Sequence, residues 1–146
     1  MTKETISYTV ELFRMAEKRH FTSPTDLTRD LIDTMFKNSM HSHEEMHAIF
    51  LNNALEVCFI QKIGMGDINS TVMSQSAMYT TAHVQRTSRL ILVHNHPSGE
   101  PKFSMSDINL GKRIKQACET MGLTLVDFLM VTPDYSVYSL KNQGII

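Results

Sequence analysis

The chain has 146 residues, with 14 Lys or Arg against 15 Asp or Glu and a net charge of −1. That length suits one domain burying roughly two-thirds of the surface its unfolded form exposes, and the even charge, with no long like-charge block, excludes a strongly basic DNA-coating protein. With 42% hydrophobic and 20% charged residues, no apolar run approaches the roughly 20 residues of a membrane-spanning helix. The opening MTKETISYTVELFRMAEKRH interleaves charges where a signal peptide has an apolar core. Cys58 and Cys118 sit in apolar runs rather than in a disulfide-like array, which points to reduced thiols in a cytoplasmic protein.

In chain order, residues 1–22 read as an arm or one short strand, with Tyr8, Val10, Leu12 and Phe13 as its apolar members, and the domain proper runs over 23–146. Ser23-Pro24 is a helix start with proline at the first position, and Leu27, Leu31, Ile32, Met35 and Phe36 recur at helical spacing, predicting an amphipathic helix over about 24–38. MHAIFLN (46–52), the turn pair Asn52-Asn53 and LEVCFIQKI (55–63) predict two strands closing a hairpin, after which Gly64 and Gly66 loosen the chain. Residues 75–87 predict a second helix, and RLILV (89–93) a short strand buried on both faces. The chain then breaks into HNHPSGEPKFS. From Met105 the helical period resumes through Leu110, Ile114, Ala117 and Met121 and stops at Gly122. LTLVDFLMV (123–131), a turn at Pro133-Asp134 and YSVYSL (135–140) form another strand pair. This order contains no internal repeat and predicts a single α/β domain, a mixed sheet flanked by helices in three layers.

His94 and His96 stand two apart at the end of the buried strand, so both imidazoles project to one side. Eleven residues after His96 comes Asp107, the third residue of the next helix if Ser104 is its N-cap. Two nitrogens and one oxygen leave a fourth tetrahedral position for water, the arrangement of catalytic zinc. The competing explanation is a capping box, in which Ser104 and Asp107 serve only the helix terminus. Asp107, however, precedes Leu110 by three and Ile114 by seven, which puts its carboxylate on the buried stripe facing the histidines. Attack on a carbonyl needs a base, and Glu44 and Glu45, just before the MHAIFLN strand, are the candidates; adjacent strand residues face opposite sides, so one of them reaches the site. Ser104 can cap its helix and also donate to an oxyanion.

A second zinc spelling competes, since His43-Glu44-Glu45-Met46-His47 matches His-Glu-x-x-His. That motif requires a helix, and AIFLNNALEVCFIQKI continues it with β-branched, aromatic and turn residues. His41, His43 and His47 are then expected at the surface or a strand edge.

HNHPSGEPKFSMSD resembles the His-x-His-Pro-Ser-Gly…Ser-x-x-Asp core of the RadC-like branch of the JAB/MPN (JAMM) metalloproteins. The similarity extends over about residues 20–146, with EEMHAIFLNN like the family's opening strand, Ser70-Thr71 like its Gly-Thr step and LVDFLMVTPDYSVYSLKNQGII like its closing hairpin. The resemblance implies a cytidine-deaminase-like α/β fold, Zn²⁺ on His94, His96 and Asp107, Ser104 as oxyanion donor and Glu44 as base, with Glu45 the near-register alternative. It further implies a hydrolase of peptide or isopeptide bonds with a peptide or protein substrate, in a branch labelled DNA repair; the family's helix-hairpin-helix extension has no counterpart in this sequence. Three positions depart from the pattern: Gln75-Ser76-Ala77 replaces a charged helix start, Asp127-Phe128 replaces Asp-His, and Phe103 replaces a proline before Ser104. The alternative to a hydrolase is a non-catalytic, metal-stabilised interaction module in DNA metabolism or a mobile element. The near-neutral charge argues against direct DNA binding, and a three-ligand single-metal site makes nuclease chemistry less natural.

Overall fold

The computed structural model describes residues 12–65, apart from Ala16, and residues 72–146. Tyr8 and Val10 of the expected arm, Gly66, and the Ser70-Thr71 step lie outside them. The elements are β1 (Leu12–Arg14), a short 3-10 turn (Pro24–Asp26), α1 (Arg29–Phe36), β2 (Glu45–Leu51), β3 (Val57–Met65), α2 (Val72–Val84), β4 (Arg89–Asn95), α3 (Met105–Thr120), β5 (Thr124–Val131) and β6 (Val137–Ser139).

The helix expected over 24–38 is divided. Asp26 Oδ2 accepts from the Thr22 and Ser23 N–H groups at 2.8 and 3.1 Å, which closes Pro24–Asp26 into a turn of its own. Leu27 then leaves helical geometry, with φ −77° and ψ 82°. The α-helix restarts at Arg29 with Thr28 as N-cap. The apolar stripe survives this division, because Leu27, Leu31, Ile32, Met35 and Phe36 are all buried.

Among the described residues the strands form one six-stranded sheet in the order β1-β3-β2-β4-β5-β6. Every neighbouring pair is antiparallel except β4 and β5, which run parallel through the α3 crossover. β3 does not stop at Gly64 but carries an extra residue, since Met46 pairs with Gly64 and His47 with Lys62. Such a bulge bends the strand at the end of the sheet nearest the histidines.

Period-two alternation sorts β2 and β4 between two cores. Met46, Ala48 and Phe50 of β2 and Leu90 and Leu92 of β4 pack toward Met78 and Ala82 of α2 and Leu110, Ile114 and Cys118 of α3. Ile49, Leu51, Ile91 and Val93 pack on the other face, under Leu31, Ile32, Met35 and Phe36 of α1. The molecule is thus the expected single α/β domain of three layers, with α1 on one face of the sheet and α2 and α3 on the other. None of its described helices is long and apolar enough to cross a membrane.

Candidate metal centre

β4 runs through the middle of the sheet with every residue from Leu90 to Asn95 buried. His94 is therefore inside the protein by position, on the α3 face with Leu92 and Leu90. The chain leaves the strand at His96, whose N–H bonds the Val131 carbonyl at 2.9 Å, and turns where the Gly99 N–H bonds back to the His96 carbonyl at 3.0 Å. Gly99 has φ +78°, a conformation that favours glycine. α3 then starts on Ser104, whose Oγ accepts the Asp107 N–H at 3.0 Å while Asp107 Oδ2 accepts the Ser104 N–H at 2.9 Å. The capping box is thus formed, and it holds Asp107 rather than competing with the site.

Three ligand atoms converge. His94 Nε2 and His96 Nε2 are 3.2 Å apart, and Asp107 Oδ2 lies 3.4 Å from the first and 3.1 Å from the second. Among the described residues this is the one group of three or more His, Cys, Asp or Glu whose ligand atoms all lie within 4.8 Å of one another. The second ring nitrogens are engaged by the backbone: His94 Nδ1 lies 3.1 Å from the Leu129 carbonyl and His96 Nδ1 3.2 Å from the Glu100 carbonyl. A carbonyl only accepts, so both Nδ1 atoms are the donors and each neutral ring presents its Nε2 lone pair inward. Two lone pairs and a carboxylate oxygen then face one another in a buried site, an arrangement that a cation satisfies.

A proton can take the place of a cation here. Burial alone would push the Asp107 carboxyl up, yet hydrogen bonds from His94 and His96 when their Nε2 atoms are protonated, the charge of His94 and the Ser104 N–H hold it well below the usual carboxylate range. For His96, burial lowers the pKa, but Asp107, the Glu100 carbonyl and the charge of Glu44 outweigh it and leave it raised. Aromatic rings back the site: the His94 ring lies 5.1 Å from Phe128 and 6.0 Å from Phe103, centroid to centroid.

The two candidate bases have different surroundings. Glu45 is the first residue of β2, shares a face with His47 and Ile49, and is 5% exposed. Its Oε1 meets His43 Nε2 and Lys62 Nζ, each at 3.1 Å, and its Oε2 meets His47 Nε2 at 3.1 Å. Glu44, half-buried, lies just before β2, next but one to Met46, which pairs with His94, and its charge is felt at His96.

The expectation for His47 needs correction. It is neither at the surface nor at an edge, because β2 lies between β3 and β4; it is 2% exposed and stands edge-on to Phe36 with ring centroids 5.0 Å apart. The His-Glu-x-x-His segment is two residues of irregular chain followed by the start of β2, so it does not form the helical zinc motif. Asn95 and Lys62 also belong to the surroundings of these acids, and neither stands out in the sequence. The available signal for Asn95 was a carboxamide at the end of an apolar strand, where burial obliges it to find partners.

The family profile of the RadC-like JAB domain matches residues 21–145. Among curated proteins the chain is 36% identical over 103 residues to a UPF0758 protein of Desulforamulus reducens, covering 70% of this chain and 45% of that protein. It is 32% identical over 124 residues to a UPF0758 protein of Alkaliphilus metalliredigens, covering 85% and 52%. A UPF0758 protein of Clostridium acetobutylicum is 28% identical over 134 residues, covering 92% and 57%. The chain spans about half the length of these relatives.

Proposed function

The chain belongs to the RadC-like JAB domain family, and from that premise and its two-histidine, one-aspartate cluster we propose a zinc-dependent hydrolase of an amide or isopeptide-like bond in a peptide or protein substrate. The observation that carries the reading is the inward aim of His94 Nε2, His96 Nε2 and Asp107 Oδ2, with each Nδ1 engaged by a backbone carbonyl. His94, His96 and Asp107 would hold the zinc, which would supply a Lewis acid and acidify a water. Glu44 would accept the proton of the attacking water and return it to the departing amine. Ser104 Oγ uses a lone pair on the Asp107 N–H, which leaves its O–H to donate to the oxyanion. Phe103 and Phe128 keep water from the far side of His94 and lower the local dielectric. A cytoplasmic setting fits the free thiols of Cys58 and Cys118.

The test is metal content by elemental analysis together with cleavage of peptide, isopeptide-linked and oligonucleotide substrates, in zinc-loaded and chelated protein. One zinc per chain and chelator-sensitive cleavage of an amide bond support the reading. Stoichiometric zinc with no cleavage of any substrate refutes it and leaves a metal-braced interaction module.

A further inference from the structure

We propose that Asn95, the residue between the two histidines, positions Glu44. The inference rests on Glu44 being the base. Asn95 is fully buried and, by alternation, points to the face opposite His94. Its Oδ1 accepts the Glu45 N–H at 2.7 Å, and its Nδ2 donates to the His43 carbonyl at 3.0 Å and the Ser39 carbonyl at 3.2 Å. The His43 carbonyl belongs to the peptide group before Glu44, and the Glu45 N–H to the one after it. One carboxamide therefore grips both peptide units that flank Glu44, and the third bond ties it to the turn after α1.

The need for this grip follows from the sheet. The β2–β4 pairing begins at Met46 opposite His94, so residues 43–45 lie past the last paired position of that ladder. Asn95 carries the connection on with its side chain. A carboxamide suits the task because it offers an acceptor and two donors in one plane; a carboxylate lacks the donors and an aliphatic side chain lacks both. Since His94 and His96 are its covalent neighbours, the residue that fixes the Glu44 backbone is built into the same three-residue stretch as two of the three ligand side chains. The distance from base to ligands is thereby set by β4 itself.

The test compares N95A, N95D, E44Q and the double variant E44Q/N95A in the full chain, using zinc and a fluorogenic ε-lysyl isopeptide substrate. In N95A the zinc content stays at the wild-type level and kcat falls on the order of 10–100-fold with KM little changed. Exchange of the Glu45 amide, read on the metal-free protein, speeds up by on the order of 10–100-fold, as expected when a buried donor loses its partner. N95D, which keeps the acceptor for Glu45 and most of the shape, falls between and serves if N95A does not fold. Adding N95A to E44Q costs nothing further, because Asn95 acts through Glu44; a purely structural asparagine would not show that dependence. Wild-type kcat in folded N95A, full multiplication of the two losses, or loss of zinc in N95A and N95D overturns the assignment while leaving Glu44 as base. Wild-type kcat in E44Q overturns the base reading itself, and this inference with it.

Discussion

Glu44 and Glu45 are neighbours in sequence with different surroundings, and exchanging each for glutamine should separate chemistry from stability. Glu45 is held on both oxygens: Lys62 and His43 approach one carboxylate oxygen and His47 the other, all at 3.1 Å. Burial pushes its carboxyl up, but His47 and Lys62 together more than offset this and hold it below the usual range. Glutamine keeps the shape and loses the charge, leaving Lys62 against a neutral amide. Charged hydrogen bonds contribute about 1.5–3 kcal/mol each, and breaking a buried pair costs more than the pair contributes. A loss of about 1–3 kcal/mol in E45Q is expected, since glutamine can still donate or accept at part of the site, and at this chain length that lowers Tm by roughly 3–12 °C. The depressed pKa means that the stability advantage of wild type over E45Q is present above the unfolded carboxyl pKa, about 4.3, and is lost as pH falls below it. Activity per folded E45Q molecule should stay near wild type. E44Q should melt within about 0.5 kcal/mol of wild type, retain zinc, and lose hydrolysis by on the order of 10²–10⁴-fold. Thermal melting by circular dichroism at pH 7 and pH 3.5, zinc content and initial rates read all of this. Reversed phenotypes would refute the assignment of roles, and an E45Q melt equal to wild type would refute the stabilising role of the buried Glu45 charge.

His96→Ala should abolish stoichiometric metal, whereas His47→Ala should bind metal normally and melt lower, because His47 packs on Phe36 beneath α1; metal loss in H47A alone would restore the His-Glu-x-x-His reading. Asp107→Asn should weaken zinc binding by at least 10²-fold and cost the metal-free fold about 1–3 kcal/mol, because the helix cap is kept while the charged contact with the histidines is lost. The reason is that Oδ2 both accepts the Ser104 N–H and faces the histidines, and an amide oxygen can take that place without its charge. Zinc titration with a competing chelator, and melting of the chelated protein, check both halves; unchanged zinc affinity would leave Asp107 a cap alone.

The parts of this molecule that were legible in sequence are those governed by short-range periodicity. The spacing of Leu31, Ile32, Met35 and Phe36 announced the face of α1, and the two-residue interval of His94 and His96 announced a shared side of β4. Asp107 was readable because its offset from Leu110 and Ile114 fixed its face. Boundaries were less legible where a side chain rather than a propensity set them, as when Asp26 closed its own turn and delayed α1 to Arg29. The β3 bulge, which lets the strand pass through Gly64, depends on its pairing with β2 and leaves no local mark. His47 was misplaced for a related reason. Whether a strand is central or peripheral is decided by sheet order, and β2 is covered on one side by a strand that follows in the chain and on the other by β4, thirty-eight residues further along from Leu51 to Arg89.

Two of the departures from the family pattern meet in space, and together they shape the environment of His94. Phe128, where the resemblance leads one to expect a histidine, and Phe103, where it leads one to expect a proline, are both buried, and their ring centroids are 6.2 Å apart. Both flank the His94 ring. The helix that delivers Asp107 is seated against this wall by Gly111, one turn further on: a Cβ there would stand 2.8 Å from Leu140 Cδ1 and 3.6 Å from the Phe128 ring. Glycine thus lets α3 lie close to β5, and the close seat brings Asp107 Oδ2 within 3.4 Å of His94 and 3.1 Å of His96. In such apolar surroundings a charge is weakly screened, so one carboxylate exerts a strong pull on a divalent cation. Two neutral imidazoles and a single carboxylate would leave a dication held here with net positive charge, which under the proposed function would favour acidification of a water over neutralisation of the metal. With each imidazole held through Nδ1 and the carboxylate shared between the cap and the cluster, the proposed hydrolysis needs a proton acceptor from outside the three ligands, and Glu44, just before β2 and with its charge felt at His96, is the residue we assign to it.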